Sequence, residues 1–243
     1  MTITGKSDIG LVRKTNQDTF TFGQLGKNAS YAIVCDGMGG ENGGSVASEI
    51  ACDAICSHIR QGYRSRMDAN SIRNLLITAV HSANAAVYQK SASTPGLEGM
   101  GTTVVAAVMT GNMAYLAHVG DSRAYLHNTE ETVRITTDHS IVQVLIDQGK
   151  LTEDAAKRHP QKNLITRAVG VEPAVDVDYT ETELLTGDVL LLCTDGLTNM
   201  CDDLKMREIL LQYPPAEACE QLIDAAKKAG GKDNITVVTA CIP

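Results

Sequence analysis

The 243-residue chain has no tryptophan and only two phenylalanines, so aromatic rings cannot fill its interior. Ile, Val, Leu, Ala and Met must do so, and 43% hydrophobic residues supply enough of them for a substantial core. No apolar run approaches the roughly 18 residues of a membrane span, and the opening "MTITGKSDIG" lacks the apolar segment of a secretory signal. The expectation is a cytoplasmic protein with no membrane contact. A basic excess is missing too. The formal net charge of −8 argues against a nucleic-acid partner, because neutralising phosphates takes clustered Lys and Arg. The seven cysteines are odd in number and show no paired C-x-x-C spacing, which makes neither a disulfide framework nor a zinc site. Cys35 and Cys193 lie inside apolar runs and read as small buried hydrophobes. The six histidines form neither H-x-H nor H-E-x-x-H, which argues against a zinc hydrolase.

Repeats, low-complexity tracts and Pro/Ser-rich linkers are absent as well, so the whole of 1–243 reads as a single domain. What is present is strand-like sequence at 31–35, 102–109, 113–119, 123–127, 174–180, 188–193 and 235–241. Thr110-Gly111-Asn112 and Gly120-Asp121-Ser122 are short connections, and short turns favour antiparallel neighbours. Helical periodicity covers about 44–61 and 70–91; in the second, Ile72, Leu75, Leu76, Ala79, Ala83, Ala86 and Val87 share one stripe. Further helices are expected after Ser140 and Thr152, and from about Pro215 to before Gly230-Gly231. This order is not the βαβα alternation of a nucleotide-binding fold. It suits antiparallel sheets covered by helices, an α+β architecture. The charged stretch 136–170 reads either as a flap over a cleft or as a cover for one sheet edge.

The chemistry concentrates in aspartates at strand ends. Asp36 ends the apolar run "YAIVC" and Asp195 follows "VLLLCT"; each precedes glycine. Asp121 sits in the turn "GDS", Asp233 comes just before the last strand, and Asp18 stands in "RKTNQD". A single Asp-Gly is an ordinary turn pair. Four of these five, Asp36, Asp121, Asp195 and Asp233, occupy turns next to strong strands, and without competing His or Cys they suit a hard cation such as Mg²⁺ or Mn²⁺. The glycine-rich "DGMGGENGGS" fits neither G-x-G-x-x-G nor a P-loop, and it leads with an acid that repels phosphate unless a cation intervenes.

The ordered set "RKTNQD", "VCDGMGGENGG", "GMGTT", "VGDSRAY", "TTDHS", "CTDGLTNM" and "GGKDNITVV", spanning 13–238, resembles the metal-dependent PPM phosphatases, the protein phosphatase 2C type in its bacterial form. That resemblance implies a four-layer α/β sandwich with two facing antiparallel sheets, flanking helix pairs and a flap insertion at about 136–170. It implies two core Mn²⁺ or Mg²⁺ ions. Asp36 would bridge them, Asp195 and Asp233 would complete one ion, the Gly37 carbonyl would bind the other, and Asp121 would serve a third site. Asp18 would be the outer acid holding metal-bound water, and Arg13 would grip the substrate phosphate. The implied reaction is hydrolysis of phosphoserine and phosphothreonine in proteins by a metal-bridging hydroxide, against a bacterial Ser/Thr kinase and its substrates. The alternative is a PPM-fold binding module without catalysis.

Three positions depart from the family pattern, the first being Met38, where eukaryotic members have a histidine directly after the Asp-Gly as candidate general acid. Glu41 replaces a histidine common after "DGMGG", leaving Glu41 or metal-bound water as the proton donor, and Gln17 replaces a frequent Glu. His139 in "TTDHS" reads as a loop residue at a helix start. With no apolar surface stripe in the sequence, a monomer is expected.

Overall fold

The computed structural model describes residues 1–242, apart from the side chain of Glu41. The expectation that Glu41 donates a proton therefore lies outside the described residues. Two antiparallel sheets form the centre. The first runs in the order β1 (Thr2–Asp8), β11 (Ile235–Cys241), β10 (Val189–Cys193), β7 (Arg123–His127), β8 (Thr132–Arg134). The second runs β2 (Asp18–Gln24), β3 (Ala29–Met38), β5 (Val104–Thr110), β6 (Met113–Val119), β9 (Asp178–Glu183), with β4 (Gly101–Thr102) pairing to the end of β3.

The apolar runs are continuous because both faces of their strands are covered. Ala32, Val34, Val105 and Ala107 of one sheet meet Leu190, Leu192, Val238 and Ala240 of the other in a central core layer. The alternate residues Ile33, Cys35, Ala106 and Val108 pack outward on α1 (Gly40–Gly62) and α2 (Ala69–Ser93). Leu191, Cys193, Ile235 and Val237 do the same on α6 (Asp203–Gln212) and α7 (Pro215–Lys228). The result is the expected four layers. At roughly 1.5–3 kcal/mol per buried aliphatic side chain, these three layers hold the fold mainly through aliphatic burial, with Tyr31, Tyr115 and Tyr125 the chief aromatic contributors.

Local signals place α1, α2, α7 and the short helices after Ser140 and Thr152 where the sequence put them, whereas α6 was not foreseen. Asp68 caps α2 through Ser71 N at 2.8 Å, and Pro215 occupies the first turn of α7, where its missing N–H costs nothing. Ser140 caps α3 (Ile141–Asp147) and Thr152 caps α4 (Glu153–Ala156). Residues 136–170 carry these two short helices and return to the body at Ile165, bridged to Ser140, and Val169, bridged to Thr102.

One expectation fails. Gly120-Asp121-Ser122 does not join paired neighbours: β6 belongs to the second sheet and β7 to the first. The turn carries the chain across the sandwich. Gly120, at φ +108°, makes a corner that an L side chain rarely adopts, and a Cβ there would lie 2.6 Å from Thr103 Cγ2. The strand expected at 174–180 instead runs Asp178–Glu183, and 102–109 breaks at Thr103 into β4 and β5.

Candidate active site

At one end of the sandwich the sheets present their aspartates to a common cleft. Asp18 opens β2 and stands in register opposite Asp36 near the end of β3. The backbone of Asp36 is pinned by the "GTT" segment: its N–H donates to Thr103 Oγ1 at 3.0 Å, and its carbonyl accepts from Thr102 Oγ1 at 2.9 Å and Thr103 N at 2.9 Å. Gly37 donates its N–H to the Gln17 carbonyl, and a Cβ on it would sit 2.0 Å from the Gly44 carbonyl oxygen. That space is closed to any side chain, so β3 and α1 meet at backbone contact.

The other sheet answers through threonines. Asp18 Oδ2 accepts from Thr236 Oγ1 of β11 at 2.6 Å and from Thr194 Oγ1, beside β10, at 2.9 Å. Both threonines are fully buried. Asp195 opens the short helix α5 (Asp195–Thr198), and its Oδ2 accepts from Asn199 Nδ2 at 2.8 Å. Gly196 fits only as glycine, since a Cβ would meet the Asn234 carbonyl at 1.9 Å. Asn234 in turn donates to the carbonyls of Ile9 and Thr15 and accepts from Gln17 N, fixing the loop that leads into Asp18. Asp233, beside it, pairs with Arg13 Nη2 at 2.6 Å near the cleft's mouth, and Lys162 donates to Asn199 Oδ1 at 3.0 Å.

Electrostatically the cleft is overloaded with acid. Burial pushes the Asp18 carboxyl up to about 7 despite its two threonine donors, with Asp195 and Asp233 adding to the rise. Burial and Asp195 lift Asp121 to about 8, and burial with Asp233 lifts Asp195 to about 6. Asp36 is raised well above the usual carboxylate range by burial and then by Asp18, Asp195, Asp121 and Asp233. Asp18 Oδ1 and Asp195 Oδ1 are shut off from solvent with no hydrogen-bond partner among the described residues, a costly state for a buried oxygen. No three such side chains, among the described residues, already close around a point: Arg13 draws Asp233 aside, and Asn199 takes one oxygen of Asp195. The orphaned oxygens and mutual repulsion are nevertheless what a set of hard oxygen donors shows when built to share cations.

The structure thus brings Asp18, Asp36, Asp121, Asp195, Asp233 and Arg13 within electrostatic reach of one another, with Gly37 next to Asp36. Sequence reasoning missed Thr194, Thr236, Asn199 and Asn234. Each adjoins or follows closely on a site aspartate or the last strand, and that adjacency was the available signal. Cys35 and Cys193 are fully buried, with thiols pushed up by contact with Cys52 and burial in the first case and by burial to about 12 in the second, so neither serves as a nucleophile.

The family model "Protein phosphatase 2C" matches residues 11–234. The chain belongs to this family. The serine/threonine phosphatase stp of Listeria monocytogenes serotype 4b is 38% identical over 234 residues, covering 96% of this chain and 92% of that protein. The S. agalactiae serine/threonine phosphatase structure superposes with a TM-score of 0.93 at 33% identity, covering 100% of this chain and 99% of that one. The catalytic domain of the phosphatase PstP, solved in complex with two manganese ions, gives 0.83 at 35% identity, with coverage of 98% and 96%. The sandwich of two antiparallel sheets is therefore that of known protein phosphatase 2C structures.

Proposed function

We propose that this chain is a metal-dependent protein-serine/threonine phosphatase, a hydrolase acting in a bacterial cytoplasm against a Ser/Thr kinase and its phosphorylated substrates. The observation that carries the reading is the meeting of buried aspartates from both sheets, two of them with orphaned oxygens. The names of the relatives support the substrate class, and the manganese complex of PstP supports Mn²⁺, with Mg²⁺ as the other hard cation the donors suit. No described helix is long and apolar enough to cross a membrane. We read 1–243 as one monomeric domain whose flap, 136–170, discriminates phosphoproteins.

In this reading Asp36, Asp195, Asp233 and the Gly37 carbonyl would hold two cations, with Asp36 common to both, and Asp121 would hold a third. Bound there, the cations supply Lewis acidity that offsets phosphoryl charge and acidifies water. Asp18, held by Thr194 and Thr236, keeps one oxygen free to orient a water proton. Arg13 is half exposed and exchanges Asp233 for two oxygens of the substrate phosphate, as its planar fork permits. Its exchange leaves Asp233 free to act as a ligand.

The test is hydrolysis of p-nitrophenyl phosphate and of a phosphothreonine peptide with Mn²⁺, with EDTA, and by Asp36→Asn. Chelation and the substitution should each reduce kcat by at least about 10³. Activity indifferent to both would refute the metal-dependent mechanism, and a well-folded, Mn²⁺-binding protein with no activity would favour a binding module.

A further inference from the structure

Asp121 lies in the turn that crosses between the sheets, and a turn has little rigidity of its own. Its two ends are held by consecutive residues from the root of the flap. At the leading end, Gly120 is gripped at both backbone groups: its carbonyl accepts from His139 N at 2.8 Å, and its N–H donates to His139 Nδ1 at 3.0 Å. At the trailing end, Arg123 is held bidentately by Asp138, Nε to Oδ1 at 2.9 Å and Nη2 to Oδ2 at 2.6 Å. Between them Ser122 Oγ lies 2.7 Å from Thr103 Oγ1, the atom that accepts from Asp36 N.

The histidine is itself fixed from the flap side. Because Nδ1 accepts from Gly120, the ring proton sits on Nε2, 3.3 Å from Asp178 Oδ2. Arg167 Nη1 donates to Asp178 Oδ1 at 2.6 Å and lies 3.0 Å from Nε2, so both donors converge on one carboxylate. The imidazole is buried and stacks on His118, ring centres 4.6 Å apart. Its own carbonyl accepts from Thr166 N at 2.8 Å, closing the flap's outgoing and returning strands at this residue. A loop residue at a helix start needs none of this.

We propose that His139 is a positioning residue for Asp121: it clamps the crossing turn to the flap root, so that the Asp121 carboxylate is presented to its cation only while the flap is seated. The inference rests on the reading of Asp121 as a ligand. Metal affinity depends on such outer partners, whose loss commonly costs 10–100-fold.

The experiment uses the full chain, its metal stripped and Mn²⁺ added back. Calorimetric Mn²⁺ titration is run on wild type, Asp121→Asn, His139→Ala and His139→Asn, and amide exchange of Gly120–Ser122 is measured without metal. Asn carries an acceptor oxygen near the place of Nδ1. His139→Ala should weaken by about tenfold the binding event that Asp121→Asn removes, and should speed exchange at Gly120. His139→Asn should recover most of both. If His139→Ala does not fold, Asp178→Asn, which frees the ring but leaves Nδ1 in place, should give a smaller effect in the same direction. Unchanged exchange at Gly120 in these variants overturns the clamp. So does an unchanged titration when Asp121→Asn alters it, or a defect that His139→Asn fails to reduce. If Asp121→Asn leaves the titration unchanged, the ligand reading falls, and with it the presentation of Asp121, whatever the exchange shows.

Discussion

Burying Asp36 beside four other carboxylates costs the fold stability, which a cation bound as proposed would return. In metal-free protein, Asp36→Asn removes a desolvated like charge and keeps the shape. It should therefore raise stability by about 1–2 kcal/mol while abolishing Mn²⁺-dependent activity; urea unfolding in EDTA checks the first part. A variant less stable than wild type without metal would show that charge repulsion does not govern the stability of the empty cleft. Thr236→Val makes the opposite case. It strips Asp18 Oδ2 of its 2.6 Å donor and leaves a buried oxygen short of a partner, so a loss of about 1–3 kcal/mol is expected in the same assay. At this scale Asp36 and Asp195 were legible because each breaks an apolar run ahead of a glycine, and Asp121 and Asp233 because each sits in a turn beside a strand, whereas Asp18 in "RKTNQD" has no such local signal. The threonines that hold Asp18 were not legible, since a threonine in "NITVV" looks like any β-branched strand residue.

At the scale of elements, the site depends on two places where a strand end or helix start touches another backbone. Gly37→Ala and Gly196→Ala would place a methyl 2.0 Å and 1.9 Å from carbonyl oxygens, and neither oxygen belongs to a side chain that can swing away. Each should cost about 3 kcal/mol or more, the upper end of overpacking. Gly111→Ala serves as the control, with φ +60° and open space around it, at about 1 kcal/mol. Thermal unfolding that ranks all three alike would refute the close-approach argument. The long helices were legible from their 3.6 period and caps. Strands β1, β2 and β8 were not: "TITGKSD" and "DTFTFGQ" are half-buried edge pieces with little apolar run, and their pairing is decided by distant partners. The crossing turn misled for a related reason. Turn length limits how far the chain travels, and the corner at Gly120 decides which sheet it enters.

For the molecule as a whole, the first sheet carries a buried histidine, outside the aspartate cluster, whose neutral form the fold favours. His127 on β7 touches Thr132 through Nδ1 at 2.8 Å, while its Nε2 has no partner among the described residues. Burial, with help from Arg207, pushes its pKa down to about 4. The folded state therefore favours the neutral ring. Its contribution is complete above about pH 6.5, the ordinary value, and is lost as pH falls toward 4. Relative to His127→Gln, wild type should lose about 2–3 kcal/mol between about pH 7 and pH 4. Urea midpoints across that range test it, and parallel curves would exclude the histidine as the cause. The comparison cancels the cleft carboxylates, which both proteins share.

The position of β11 has a consequence for synthesis. The last strand lies inside its sheet, between β1 and β10, and it carries Thr236 with Asp233 and Asn234 just before it. A chain still being translated can assemble the second sheet with α1 and α2. The first sheet must wait with β1 and β10 unjoined until residue 241 has emerged from the ribosome. The aspartate cleft therefore cannot close before β11 is in place, and a chain cut short of this strand holds Asp18 and Asp36 without Thr236, Asp233 and Asn234.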